Sequence, residues 1–244
     1  MQNHDILRAA LVGHGRMGRE IEERASASGL EIVARFDSAH PLGTEPAIDF
    51  DVAIEFTTPA AVIDNLRVLL RWNKAVVIGT TGWHDRIDEV REHIERHHGR
   101  VVYGSNFSIG VLMFTKIVRE AARMFNGIDA YDVAVHEIHH RAKTDAPSGT
   151  ALVVAGAVLD ELDRKSALRT DTSHGRIDPG ALHVTSQRLG STVGTHQVAF
   201  DSDVDTIELT HRAKNRGGFA LGALLAARWI AGQPPGLYRF EDVF

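Results

Sequence analysis

The spacing of apolar positions along this chain changes partway through. Residues 7–12 form an apolar run broken only by Arg8, the pattern of a strand buried on both faces. A glycine turn follows, and then Met17, Ile21 and Ala25 recur at i, i+4 and i+8, one face of a helix. Residues 31–36, 52–56, 75–78 and 101–103 read as further strands. Between them lie a helix opened by Pro59 and running to about Trp72, with proline in its tolerated first turn, and a charged helix over 84–97. Strand and helix alternating at this pace predict a parallel sheet with helices on both faces.

Beyond about Ser108 the rhythm differs. A long helix is expected over 109–125 and a strand over 131–138. A polar stretch with Pro147 and Gly149 then leads into a helix from about Thr150 to Leu162. Residues 164–180 are polar and turn-rich, the composition of a surface loop. Three strands follow near 183–188, 193–200 and 205–211. In the last, Ile207 and Leu209 alternate with Glu208 and Thr210, the period of a half-exposed strand. Residues 219–230 form an apolar, alanine-rich helix, and Pro234-Pro235-Gly236 opens a short terminal segment. The pattern predicts an α/β domain followed by an α+β insert. It does not decide where the last helix packs.

Composition narrows the class of protein. Hydrophobic residues make up 43% and charged residues 24%, ordinary for a globular chain. No apolar run reaches the ~18 residues of a membrane span, and the N-terminus shows no basic-then-apolar leader. Cysteine is absent, which removes disulfides, thiolate zinc sites and cysteine nucleophiles. A cytoplasmic location is the expectation. The net charge of −5 argues against nucleic acid as a partner. Fourteen histidines keep metal binding in view.

Gly13-His14-Gly15-Arg16-Met17-Gly18 fits G-x-G-x-x-G between a strand and a helix, the context that gives this motif meaning. The first glycine permits the tight turn, the second lets backbone approach a pyrophosphate, and the third lets helix and strand pack closely. The helix start then offers free N–H groups to phosphate. Asp37 stands at the end of the second strand, about 20 residues on, where a carboxylate accepts from a ribose 2′-hydroxyl and repels a 2′-phosphate. Arg16 either caps the phosphates or is a solvated helix residue. Gly79-Thr80-Thr81-Gly82 and Gly104-Ser105-Asn106-Phe107 follow the fourth and fifth strands, where a Rossmann-type sheet meets ribose and nicotinamide.

The densest chemistry runs from His136 to Thr150. His136-Glu137-Ile138-His139-His140 formally matches the H-E-x-x-H of zinc proteases, but that motif needs a helix and Val133-Ala134-Val135 is β-like. The other reading is an anion-binding, proton-donating loop. Ser148, Gly149 and Thr150 open a helix and suit a carboxylate or phosphate, with His139 and Lys143 nearby as proton donors.

On these residues the chain resembles the 4-hydroxy-tetrahydrodipicolinate reductase (dihydrodipicolinate reductase) family of lysine and diaminopimelate synthesis. Residues 137–151 match the signature E-x-H-H-x-x-K-x-D-x-P-S-G-T-A. Glu55-Phe56-Thr57, residues 106–111, His211-Arg212-Ala213 with Arg216, and residues 219–223 and 235–238 fall in family order. Ser191 and Thr195 depart from it, standing where the family often has acids. The resemblance implies hydride transfer from NADH or NADPH to a cyclic imine dicarboxylate. His139 is the implied proton donor, Lys143 assists, and His140, Gly149 and Thr150 bind the dicarboxylate with Ser148. No metal takes part. It also implies a Rossmann-type dinucleotide domain of residues 1–108 and 217–244. Residues 109–216 then form an α+β substrate and oligomerisation domain with a mixed sheet, in a homotetramer whose domains close on each other. Asp37, followed by Ser38 and Ala39 with no adjacent base, points to NADH as the preferred cofactor, with Arg16 and Arg35 as the cations that could compensate. The alternatives are a nucleotide sensor, a reductase of a different cyclic imine acid, and a zinc hydrolase.

Overall fold

The structure, a computed structural model, describes residues 6–43 and 49–244. Residues 1–5, part of the stretch read above as carrying no leader, lie outside them. Contacts divide the chain into two compact units, Met1–Ile109 with Arg216–Phe244, and Gly110–Asn215.

In the first unit the chain runs β1 (Leu7–Val12), α1 (Arg16–Ala25), β2 (Leu30–Phe36), β3 (Val52–Glu55), α2 (Val62–Arg71), β4 (Ala75–Ile78), α3 (Ile87–His97) and β5 (Arg100–Tyr103). After the second unit it returns as α6 (Gly217–Ala231) and β11 (Gly236–Arg239). The six strands are ordered β11-β5-β4-β3-β1-β2, all parallel. β3 and β4 are buried throughout, as continuous apolar runs require in a sheet covered on both faces. Val62, Ile63, Leu66, Leu69 and Leu70 of α2 and Val90 and Ile94 of α3 pack into one core with Ala10, Val12, Ala53, Val76 and Ile78. Successive strand residues point to opposite faces; α1 and α6 pack together, and α6 lies against β3, β4 and β5. The order reverses between β1 and β3, and a ligand in such a sheet binds beyond the carboxyl ends at that point.

One expectation needs correction here. Pro59 does not open α2. Pro59, Ala60 and Ala61 make a turn in which Ala61 and Val62 both donate to the Thr58 carbonyl, and the helix begins at Val62. The terminal segment is a strand, because β11 adds to the edge of β5 in parallel register, Gly236 opposite Arg100 and Arg239 opposite Tyr103.

The second unit contains α4 (Ile109–Phe125), β6 (Asp132–His139), α5 (Gly149–Leu159), β7 (Ala167–Arg169), β8 (Ala181–Arg188), β9 (Thr195–Asp201) and β10 (Thr206–Arg212). Its sheet is ordered β10-β9-β6-β8-β7 and is mixed: β6, β8 and β7 are parallel neighbours, and β9 is antiparallel to both β6 and β10. Phe114, Val118 and Ala122 of α4 and Ala151, Val154, Ala155 and Val158 of α5 cover one face, meeting Val133, Val135, Leu182, Val184, Val198 and Phe200. The stretch 164–180 is not wholly loop, since β7 lies within it. Its base is pinned by buried Lys165, whose ammonium donates to the carbonyls of Pro179 and Ala181 and pairs with Asp132. β10 is an edge strand and more open than its alternation suggests: Leu209 is half-buried while Ile207 is 44% exposed.

Candidate active site

The glycine turn is built by close backbone contact. Gly13 has φ +95°, and a Cβ there would lie 2.2 Å from the Phe56 carbonyl oxygen. A Cβ at Gly18 would lie 2.4 Å from the Gly13 carbonyl oxygen. These two glycines let β1, β3 and α1 converge. Gly15 is different: a Cβ there meets nothing within 4 Å, so the fold leaves that space open. Gly15 is the N-cap of α1, no side chain caps the helix, and its first turn carries no acid. The N–H groups and positive dipole end are thus available to an anion.

Two cavities flank this turn. One, of about 400 Å³, is bordered by Gly13, Asp37, Ser38, Leu42, Thr58 and Asn65 among others. Asp37 Oδ1 accepts from the backbone N–H groups of His40 and Ala39, each at 2.9 Å. Those bonds hold its carboxyl below the usual carboxylate range, the His40 N–H contributing most. The second cavity, of about 390 Å³, is bordered by Gly15, Arg16, Met17, Phe56, Thr57, Pro59, Gly79, Thr80 and Thr81. Thr57 N–H donates to Thr80 Oγ1 at 2.7 Å, tying the β3 and β4 loops together. Beneath them Glu55 is fully buried, and that burial pushes its carboxyl up against hydrogen bonds from Thr57, Thr80 and Asn65. His14 turns aside, its Nε2 lying 2.6 Å from Glu22 Oε2. Gly104, Ser105, Asn106 and Phe107 border neither cavity. The Phe107 ring is buried against Phe56 and Phe240, so it supports its loop from the core.

In the second unit the H-E-x-x-H match lies on β6, and the helix that zinc binding by His136 and His140 needs is not there. Strand alternation places Val133, Val135, Glu137 and His139 on the core side, all buried, and His136 on the other, where Nδ1 lies 2.7 Å from Thr185 Oγ1. Glu137 and His139 are directly bonded through Oε2 and Nδ1. The other oxygen of Glu137 accepts from Arg188 at 2.9 Å. Burial opposes charge on Glu137, but bonds from Ser186, His139 and Arg188 outweigh it and hold the carboxyl below its ordinary value. With Nδ1 held by Glu137, His139 has Nε2 left for chemistry. Nε2 lies beside Gly194, where a Cβ would come within 2.9 Å.

His196 stands edge-on to His139, with ring centroids 5.2 Å apart. Burial first, and then the neighbouring His139, pushes His196 down to about 4, so it is neutral near pH 7. Its Nε2 lies 3.3 Å from Ser148 Oγ, which also caps α5 by accepting from Ala151 N–H at 3.2 Å. The Nδ1 of His196 is buried and has no hydrogen-bond partner among the described residues. The network thus runs from Arg188 through Glu137, His139 and His196 to the start of α5. There Gly149 follows Ser148, and a Cβ on it would meet nothing within 4 Å. Lys143 donates to both Asp145 oxygens, at 2.8 and 2.9 Å. His140 lies just past the end of β6, and Thr150 is in the first turn of α5. Among the described residues, Glu137, His139 and His196 bring possible metal-ligand atoms within 4.8 Å of one another. Within the trio Glu137 is already engaged by His139 and Arg188, while the His196 side chain, among the described residues, bonds only to Ser148.

Residues 7–107 match the family described as Dihydrodipicolinate reductase, N-terminus, and residues 110–244 match Dihydrodipicolinate reductase, C-terminus. The chain belongs to the dihydrodipicolinate reductase family. Among curated members it is 36% identical over 234 residues to a 4-hydroxy-tetrahydrodipicolinate reductase of Christiangramia forsetii, covering 96% of each chain. It is 40% identical over 217 residues to the enzyme of that name from Methanoregula boonei, covering 88% of this chain and 82% of the relative. A solved family structure, the dipicolinate-bound dihydrodipicolinate reductase of Paenisporosarcina sp. TG-14, superposes with a TM-score of 0.77 at 25% identity, covering 98% of this chain and all of that one. Family membership makes the chain an oxidoreductase with a dinucleotide-binding domain of Rossmann type.

Sequence reasoning missed Arg188 as a partner of Glu137, and Leu42, Ala61 and Asn65 as borders of the first cavity. It met Gly194 and His196 only within the stretch that departs from the family. β8 and β9 are neighbours of β6, so the pairing that brings Arg188 and His196 to Glu137 is made in three dimensions. The unit boundary, 110–215, is likewise set by where α6 and β11 pack.

Proposed function

We propose that this protein reduces 4-hydroxy-tetrahydrodipicolinate to tetrahydrodipicolinate in lysine and diaminopimelate synthesis, with NADH preferred over NADPH. When bound, the reduced nicotinamide supplies hydride. In this reading Gly15 and the uncapped start of α1 hold its pyrophosphate, Asp37 its adenosine ribose, and Thr80 and Thr81 the nicotinamide half. These residues fit such a cofactor because the Gly15 space is open and the helix carries no cap. Asp37 keeps Oδ2 for a ribose hydroxyl, since its two backbone bonds use Oδ1.

The observation that carries the catalytic reading is the buried Glu137–His139 pair, linked through His196 to the Ser148 cap of α5. His139 delivers the proton from Nε2 while Glu137 stabilises its protonated form at Nδ1. Lys143, released from Asp145, contributes positive charge to the dicarboxylate. The N–H groups at Gly149 and Thr150, with His140, receive a carboxylate. Protonation concurrent with hydride arrival avoids building an unstable anion on the ring. Homotetramer formation through the open face of the second sheet belongs to the same reading, and light scattering after gel filtration tests it. So does a cytoplasmic location, which fractionation tests.

The test of the reaction is a coupled assay. Pyruvate, aspartate semialdehyde and a dihydrodipicolinate synthase generate the unstable substrate, and loss of reduced-nicotinamide absorbance is followed. Synthase-dependent consumption, with a lower KM for NADH than for NADPH, is the expected result. No consumption with either cofactor contradicts the reaction, and a lower KM for NADPH contradicts the preference.

A further inference from the structure

The glycine turn and the end of β2 share a charged partner that the reaction does not use. Glu22, on α1, takes two partners at once, His14 and the Arg35 guanidinium. Its Oε2 lies 2.6 Å from His14 Nε2, and its Oε1 accepts from Arg35 through Nε at 2.8 Å and through a terminal guanidinium nitrogen. Both partners adjoin in sequence the residues that line the adenosine end of the proposed cofactor site. His14 directly follows Gly13, and Arg35 directly precedes Phe36 and Asp37, and those three residues line the cavity. Arg35 and Asp37 stand two apart on nearly extended chain, so their side chains leave on the same side.

We infer that Glu22 determines nucleotide specificity, by holding Arg35 and His14 away from the position a 2′-phosphate would occupy. The inference rests on the cofactor reading above. A 2′-phosphate is recognised by a guanidinium with donors to spare, because its planar fork matches the phosphate oxygens. Here the Nε side of that fork is taken by Glu22. The site therefore presents to the ribose the Asp37 carboxylate, backed by a second carboxylate that absorbs the nearby positive charge. Rejection of the extra phosphate comes from both acids, one acting on the nucleotide and one acting on the arginine. The pairing also keeps the Glu22 carboxyl below its usual range, Arg35 contributing most, so it remains charged across neutral pH. Arg35 lies half-exposed, with its guanidinium near the surface and free to swing once the carboxylate is gone.

Titration calorimetry with NADH and with NADPH tests this on the wild type and on Glu22→Gln, Arg35→Gln and the double variant. Glu22→Gln removes charge but keeps size, at a side chain 29% exposed, so the fold is retained. Glu22→Ser provides a second substitution with the same expectation. The expected result is that either Glu22 variant improves the NADPH-to-NADH affinity ratio about fivefold or more, the scale of one or two exposed charge contacts. Arg35→Gln alone gives NADPH no gain, and the double variant loses the gain seen with Glu22→Gln. A ratio unchanged in both Glu22 variants overturns the inference, and so does a gain that survives removal of Arg35. If the wild type binds both nucleotides and the ratio does not move, only this inference fails. If it binds neither, the cofactor reading fails and takes the inference with it.

Discussion

The two units hold their sites in opposite ways. In the first, backbone does the holding: Gly13 and Gly18 allow strand ends and a helix start to meet, and the space beside Gly15 stays open. In the second, side chains do it: Arg188 reaches the buried Glu137–His139 pair by a hydrogen bond, and the His139 ring meets His196, which contacts Ser148. A site made of backbone binds a constant, anionic part of a ligand and asks little of nearby titratable groups. A site made of buried polar side chains fixes protonation states, because each group desolvated by the fold must be matched by another. The first arrangement suits a cofactor and the second suits proton transfer.

The largest expected effect falls on the second unit alone. His139→Gln and Lys143→Ala should each lower kcat by about 10²–10⁴, while NADH affinity by calorimetry and the melting temperature stay near wild type. Full activity in both variants would remove them from the chemistry.

The glycines of the first unit should separate stability from binding. Gly13→Ala places a Cβ 2.2 Å from a carbonyl at a left-handed φ and should cost roughly 2–4 kcal/mol in urea unfolding. Gly15→Ala meets open space and should leave stability unchanged while weakening NADH about tenfold or more. Equal losses of stability at both positions would contradict this division of labour.

The contrast also explains what could be read in the sequence. The glycine turn is a contiguous motif, and Asp37 follows it at a spacing fixed by one helix and one strand, so the first site was legible. His139, Lys143 and Ser148 were legible for the same reason, lying within one short segment. Arg188 and His196 were not, because their roles depend on β8 and β9 flanking β6. β11 escaped notice because Gly236–Arg239 is only four residues long and gains its strand identity from the β5 edge. β7, three residues of mixed character, owes its existence to β8.

Smaller effects sharpen the account of the buried network. Glu137→Gln should reduce kcat roughly tenfold or more, with KM for NADH unchanged, because the imidazole loses the charge that stabilises its protonated form. A change in NADH KM alone would place Glu137 elsewhere in function. His196 makes a prediction about stability. Its folded-state value of about 4 lies below the ordinary histidine value of 6.5. Above pH 6.5 both folded and unfolded forms are neutral. As pH falls from there, the unfolded chain takes up the proton first, so stability is lost progressively down to about 4. Between pH 6.5 and 5 that loss should amount to roughly 2 kcal/mol. It should be absent from His196→Gln, as urea midpoints at the two pH values would report; an equal slope in both proteins would contradict it. The smallest effect is expected at exposed Asp37, where Asp37→Ala should narrow the NADH-to-NADPH preference several-fold, as KM ratios would show.

In the proposed reaction the Glu137–His139 pair serves reductive chemistry on a substrate held at the start of α5. The most direct test of this role is single-turnover oxidation of bound NADH on substrate generated in place by the synthase, comparing wild type with His139→Gln. Rapid oxidation is expected in the wild type and a rate at least 100-fold slower in the variant, with NADH affinity equal in both. Equal rates in the two proteins, or no oxidation by a wild type that binds NADH, would contradict it.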